Sequence, residues 1–494
     1  MSVDNLVVDV NKIKVKALNG SIWAIAEKFS LQIVQFIVGI VLARLLGPKE
    51  YGTIAIATIF TGISAAITDG GFEKTLIQKK DIESIQISTI FYINVMLGVI
   101  ITSTLFALAP VIADYFKQEN LAPVLRLVSF GVVLNACGQT QRALLIKELH
   151  FKKISYTQII SSLIGGVSGV ILAYNNFGVW ALVYSTLISQ IIVTLSFWIN
   201  SDWYPNFSFS YSSIKSVLPY GINILFSSIL FFFIQQFNNF IIGKKYSETN
   251  LGLYNRGSRL PELTISIIES VILKMAFPVF AKLQDNLPEL IKMLEKNIRL
   301  IAFIVFPMLI FLLANARDIT ILLFTTKWIG SVEFLELFCI LRLIHPLIPI
   351  YRELILAKGN AKLLFRILVF TSFFEIVLVL LLSKYGITYI ILASFVSIMV
   401  QYLIYTRMLS KMISVPVITQ VKWLVPYILV AACMGLSLKA TDIFLNIGVL
   451  KCNIFISLVI KFLIAASVYF LIGILLKIKE FFILKKLYLH LRNK

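Results

Sequence analysis

Apolar runs of about 20 residues, the length that crosses a bilayer as a helix, recur from end to end of this chain. That recurrence limits the possible folds more than any motif does. Backbone groups in lipid must be satisfied internally, so only helical bundles and closed barrels span a membrane. Barrel strands alternate apolar and polar residues over about 10 positions, which these runs do not. Only 14% of the 494 residues are charged, against about 25% in a soluble domain. An all-α polytopic membrane protein is therefore expected.

Fourteen helices are expected, near 20–45, 51–69, 86–112, 121–140, 154–174, 178–199, 217–242, 260–281, 297–314, 331–351, 363–383, 387–406, 421–437 and 455–476. The opening MSVDNLVVDVNKIKVKALNG has neither the apolar core nor the cleavage site of a signal peptide, so the first helix is expected to remain. A net charge of +20 invites a nucleic-acid partner, but Lys and Arg lie mostly in short loops. Those around Lys12, Lys74, Arg142, Lys282, Arg352, Arg407 and the tail share one side by parity, as the positive-inside rule requires. No nucleic acid is expected, and both termini are placed in the cytoplasm. The loop 243–259 stands out as basic yet on the outer side. Cys137, Cys339, Cys433 and Cys452 are scattered, so neither a metal site nor any other cofactor is expected.

The chain also reads as a duplication. Gly47-Pro48-Lys49-Glu50 forms a polar turn between two apolar runs, and Gly243 to Gly252 repeats it with four extra residues. Arg142-Ala-Leu-Leu-Ile matches Arg352-Glu-Leu-Ile-Leu at an offset of 210, and Phe177-Gly178 matches Tyr385-Gly386 at 208. Two homologous six-helix lobes result, 1–206 and 207–410, followed by 411–494 with two further helices and a basic tail. Six is even, so the lobes enter from the same side and are related by an axis along the membrane normal. The linker Asn200–Lys215 is read as an interfacial aromatic belt. Lys282–Arg299 and the tail after Leu476 are read as amphipathic helices lying on the cytoplasmic surface.

The segments LARLLGPKEYG (42–52), DGGFEKTLIQK (69–79), FGVWAL (177–182), LGLYNRGSRLPEL (251–263) and FPVFAKLQ (277–284) resemble the multidrug/oligosaccharidyl-lipid/polysaccharide exporter superfamily. Within it they are most similar to the bacterial polysaccharide transporters and Wzx-type flippases. The resemblance covers essentially the whole chain and implies a MATE-like fold in the bacterial inner membrane. It implies a flippase for polyprenyl-diphosphate-linked oligosaccharide, working by alternating access beside polysaccharide polymerase machinery.

Such a substrate needs a hydrated, cationic path between two lobes, because each unsatisfied polar group costs several kcal/mol in hydrocarbon. The candidate cations are Arg342, Lys274, Arg126, Arg256, Arg259 and Lys28; each could instead be paired structurally or snorkel to an interface. Arg342 is expected near the middle of helix ten, within reach of Glu375. Lys461 is read as a snorkelling residue. Glu27, Glu269 and Glu375 are candidates for coupling to protons. His345, beside Pro346 and near Pro349, marks a distorted helix and falls opposite Asn135 in the duplication. A lipid II flippase and a MATE-type cation antiporter are the transport alternatives. A membrane glycosyltransferase would need a catalytic carboxylate, a DxD motif or a large outer loop, none of which is evident, so no enzyme is expected.

Overall fold

The computed structural model describes residues 23, 27–69, 72–78, 82–447 and 453–481. Helices α1 (Glu27–Leu45), α2 (Pro48–Asp69), α3 (Phe72–Gln78), α4 (Ser84–Phe116), α5 (Leu121–Lys147), α6 (Phe151–Tyr174), α7 (Val179–Asn200) and α8 (Tyr211–Lys245) come first. After them come α9 (Glu248–Lys282), α10 (Leu287–Ala314), α11 (Ala316–Phe324), α12 (Val332–Leu341), α13 (Ile348–Ala357), α14 (Ala361–Leu382), α15 (Ile387–Ile413), α16 (Val417–Lys422), α17 (Val425–Ile447) and α18 (Ile454–Leu475). Twelve spans among the described residues are long and apolar enough to cross a membrane. The 35-residue α8 and α9 stand where the seventh and eighth helices are expected. The tail beyond Phe481 and Cys452 lie outside the described residues.

The chain forms two compact units, 1–252 and 253–494. In the first, small residues let backbones approach, as suits a solvent that gives helices no hydrophobic reason to associate. A Cβ on Gly165 would lie 2.7 Å from the Ser185 carbonyl oxygen across α6 and α7, and the Ser185 hydroxyl donates to the Gly165 carbonyl at 2.7 Å. Similarly, Thr102 donates from α4 to the Ser129 carbonyl of α5 at 3.0 Å. Thr194 and Trp198 of α7 donate to the carbonyls of Leu134 and Cys137 on α5, each at 2.9 Å. The linker is strapped along α4 rather than simply lying at an interface. The Asn206 and Ser210 N–H groups donate to Ser88 and Thr89 hydroxyls, and the Trp203 ring sits 6.0 Å from Phe91.

The second unit begins within α9. Here α17 packs on α10, and α18 packs on α17 and α11. Tyr469 donates to the Phe303 carbonyl at 2.6 Å, tying α18 to α10. The expected surface helix at Lys282–Arg299 is instead the first turns of α10, which runs unbroken into its span with Leu290, Leu294 and Ile298 buried. Asn286 caps it, accepting the Glu289 N–H at 3.3 Å.

Local geometry repeats at the offsets read from sequence. Glu148, Leu149 and His150 donate to Leu144, Ile146 and Leu145 carbonyls, and Lys358, Gly359 and Asn360 donate to Leu354, Leu356 and Ile355. Leu149 and Gly359 both have positive φ, 60° and 77°. Gly178 and Gly386 are likewise both at positive φ, starting α7 and α15. The opening hairpin requires a correction. Its second copy has no four extra residues in the turn, since α1 ends at Leu45 and α2 starts at Pro48 while α8 ends at Lys245 and α9 starts at Glu248. The offset is a uniform 200, which pairs Gly47 with Ser247; matching glycine to glycine misplaced the register. Each turn carries half of a capping box. Glu50 accepts the Gly47 N–H at 2.9 Å, and Ser247 accepts the Asn250 N–H at 3.2 Å.

Candidate functional site

The site is built on a span that does not stay helical. At an offset of 210 the continuous α5 corresponds to Thr326–Ala357, where α12 ends at Leu341 and α13 begins at Ile348, with a short 3-10 turn at His345–Leu347 between. Pro346 and Pro349 take the places of Ala136 and Gln139 in α5. Each proline removes an N–H from the ladder and clashes with the preceding turn. The Arg342 and Leu343 N–H groups still close on Phe338 and Ile340, at 2.9 and 3.2 Å, and then the helix lapses. Non-helical backbone at membrane depth is tolerated only inside protein or beside a water-filled path.

Three side chains gather around this break. Arg342 is the residue at which α12 stops, rather than the middle of a helix, and it is half-buried. Its Nε is shut off from solvent and has no hydrogen-bond partner among the described residues. His345 Nδ1 lies 3.7 Å from Glu269 Oε1 of α9. That is within ion-pair reach but beyond a hydrogen bond, and neither atom has another partner. The sequence marked both residues but not their pairing, because α9 and the break are 76 positions apart in the chain. The half-helix α13 presents its N-terminus to the same break, an end that favours negative charge.

The remaining candidates are distributed differently. Arg126 donates from Nε to the Phe106 carbonyl at 3.3 Å and lies over the Phe106 ring at 4.9 Å, fixing α5 to α4. Arg256 is buried and sandwiched by Phe324 and Trp328 at 4.7 and 4.8 Å. It belongs to α9, as does the exposed Arg259, so the basic outer loop at 243–259 is really two helix ends and a two-residue turn. Lys28 is exposed, and the side chain of Lys274 lies outside the described atoms. Glu27 accepts from Ser155 at 2.9 Å. Glu375 accepts from Ser394 at 2.8 Å, and among the described residues no ion pair joins it to Arg342.

Lys461 is not a snorkelling residue. Its side chain is 4% exposed and paired with both Asp318 of α11, at 2.8 Å, and Asp442 of α17. A charge in the middle of an apolar run demands a partner; the sequence showed the need but not which carboxylates met it. In the first unit Arg142 reaches Glu73 of α3 at 3.1 Å, a bond that holds a short helix absent from the sequence reading. Leu76 of that helix packs against Ile90 and Ala143.

Residues 41–333, more than half the chain, match the model of a family described as polysaccharide biosynthesis protein. The chain belongs to that family. It is 24% identical to the lipopolysaccharide biosynthesis protein WzxC of Escherichia coli K12, over 72% of this chain and 73% of the relative. It is 25% identical to the teichuronic acid biosynthesis protein TuaB of Bacillus subtilis 168, over 70% and 72%. Among solved structures, an inward closed lipid II flippase MurJ aligns with a TM-score of 0.73 at 15% identity, over 92% of this chain and 99% of that one. An inward-facing MATE-family transporter aligns at 0.60 and 15%, over 78% and 95%. The fold of this family member is therefore that of the multidrug/oligosaccharidyl-lipid/polysaccharide exporter superfamily, in a multi-pass membrane protein.

Proposed function

We propose that the protein is a flippase for a polyprenyl-diphosphate-linked oligosaccharide, carrying it across the cytoplasmic membrane by alternating access with both termini in the cytoplasm. The observation that carries this reading is the cationic break in Thr326–Ala357: an enclosed guanidinium without a partner, beside a helix N-terminus, in the middle of a span. A buried Arg is costly unless it meets water, a carboxylate or an anionic ligand. A diphosphate matches the forked donors of Arg better than it would a single ammonium. The relatives WzxC and TuaB are named for building lipopolysaccharide and teichuronic acid, both assembled from glycan, which supports a glycan cargo. A cation antiporter would want carboxylates at this place; Glu269 is there but faces His345. In this reading Glu269 and His345 are the best-placed pair for a coupled proton, and Lys274 a second cation on α9.

The test is deletion and complementation in the native host. Loss of the gene should remove the surface glycan and accumulate its lipid-linked precursor on the cytoplasmic face, with both reversed by the intact gene. An unchanged glycan and precursor would sink the proposal. Reporter fusions at Ser208 and Ser414 should report cytoplasm, and fusions at Asn175 and Lys384 the outside.

A further inference from the structure

The two copies of the duplicated hairpin meet in an unusual way within the first unit. A Cβ on Gly52 would stand 1.6 Å from the carbonyl oxygen of Glu248. A Cβ on Gly252 would stand 1.9 Å from the carbonyl oxygen of Pro48. Both distances are far inside van der Waals contact, so each glycine admits the backbone of the other helix where no other residue could. With the offset of 200, Pro48 corresponds to Glu248 and Gly52 to Gly252. The contact is therefore reciprocal: the first residue of each helix rests on the glycine one turn into the other. This is the isologous pattern of a two-fold interface, made inside one chain. Glycine weakens a helix through its backbone entropy, so its presence one turn into both α2 and α9 is explained by the crossing and not by the helices.

What surrounds the crossing is sparse. One ion pair, Lys49 to Glu248 at 3.7 Å, bridges it with side chains 62% and 21% exposed. Such a surface pair contributes little. The rest of α2 packs on α8, α5 and α4, well away from its tip. A joint made of bare backbone at two helix tips, with no interdigitated side chains, is tight when closed and has little to break when opened.

We propose that this glycine crossing is the outer latch of the translocation path, closed in the conformation described here and released once per cycle. The proposal rests on the flippase reading and on the topology that places both turns outside. It makes the crossing a moving part, whereas a permanent joint would serve folding alone.

The test uses the full-length protein in its native host, with its four cysteines replaced by alanine and Lys49→Cys paired with Glu248→Cys. A short, reductant-cleavable bis-thiosulfonate reagent should bridge the pair and stop glycan export, and reductant should restore it. Gly52→Ala and Gly252→Ala should each raise labelling of the single Lys49→Cys by a membrane-impermeant maleimide. A shift of about tenfold in the open-to-closed ratio is expected, the scale reached by over-packing with one methyl group. Gly39→Ala, where an added Cβ meets nothing within 4 Å, should leave labelling and export unchanged. Full export by the bridged protein, or no bridging at all, would overturn the latch. If surface glycan does not depend on the protein in the first place, the flippase reading fails instead, so the two failures are distinguishable.

Discussion

Helix α5 and the span Thr326–Ala357 occupy the same position in the duplication, and they have diverged in instructive ways. The first is continuous and neutral where it is buried: Val132 and Ala136 are in the core, and its neighbours bind it through hydroxyls and an indole donating to backbone carbonyls. At the equivalent places the second has Arg342 and Pro346. The wider units follow suit. Among the described residues, the spans of the first rely on glycine contacts and side chain to backbone bonds, whereas the second buries Arg256 between rings and Lys461 between carboxylates. Burying charge in lipid costs stability. One copy has been left as scaffold while the other has been made polar, and a polar, interrupted span is what a charged cargo requires.

The largest effect that sharpens this contrast is expected at Lys461. Lys461→Met leaves two carboxylates unpaired in the second unit and should cost about 3–5 kcal/mol, the usual penalty for breaking a buried pair from one side. Membrane abundance and the melting midpoint of the purified protein would show it. Adding Asp318→Asn and Asp442→Asn should return most of the loss; without that recovery, the charges are not acting as one cluster.

A smaller change in stability, with a large one in transport, is expected from mending the break. Pro346→Ala with Pro349→Ala restores two backbone donors and should alter stability by no more than about 1 kcal/mol. Glycan export should nevertheless fall steeply as the span regains the shape of α5. Normal export from a stable double variant would mean that the break is incidental.

The smallest effect is expected at Arg126. Its guanidinium over Phe106 is half-buried, so Arg126→Lys should cost about 0.5–1 kcal/mol of stability and leave export per molecule unchanged. A specific loss of export there would move the candidate path into the first unit.

Much of this was legible in the sequence, for reasons that also explain the misses. Spans follow from run length, and the duplication followed from turns whose residues are dictated locally, as at Gly178 and Gly386. The distortion at Pro346 was legible because proline chemistry is local. Partnerships were not. Arg342 was assigned to Glu375 by depth alone, yet Glu375 is bound by Ser394; Lys461 was left without partners because Asp318 and Asp442 lie 143 and 19 positions away in the chain. The hairpin register was misread by pairing glycines, since the residues that matter there, Gly52 and Gly252, are defined by what crosses them.

The central claim is that Arg342 serves the cargo and not the fold. Surface glycan normalised to membrane-inserted protein, measured for Arg342→Ala and Arg342→Lys, tests it most directly. The account predicts normal abundance for both, export abolished in the alanine variant and partly kept in the lysine variant, which retains a point charge without the forked donors. Full export per molecule from Arg342→Ala would contradict it.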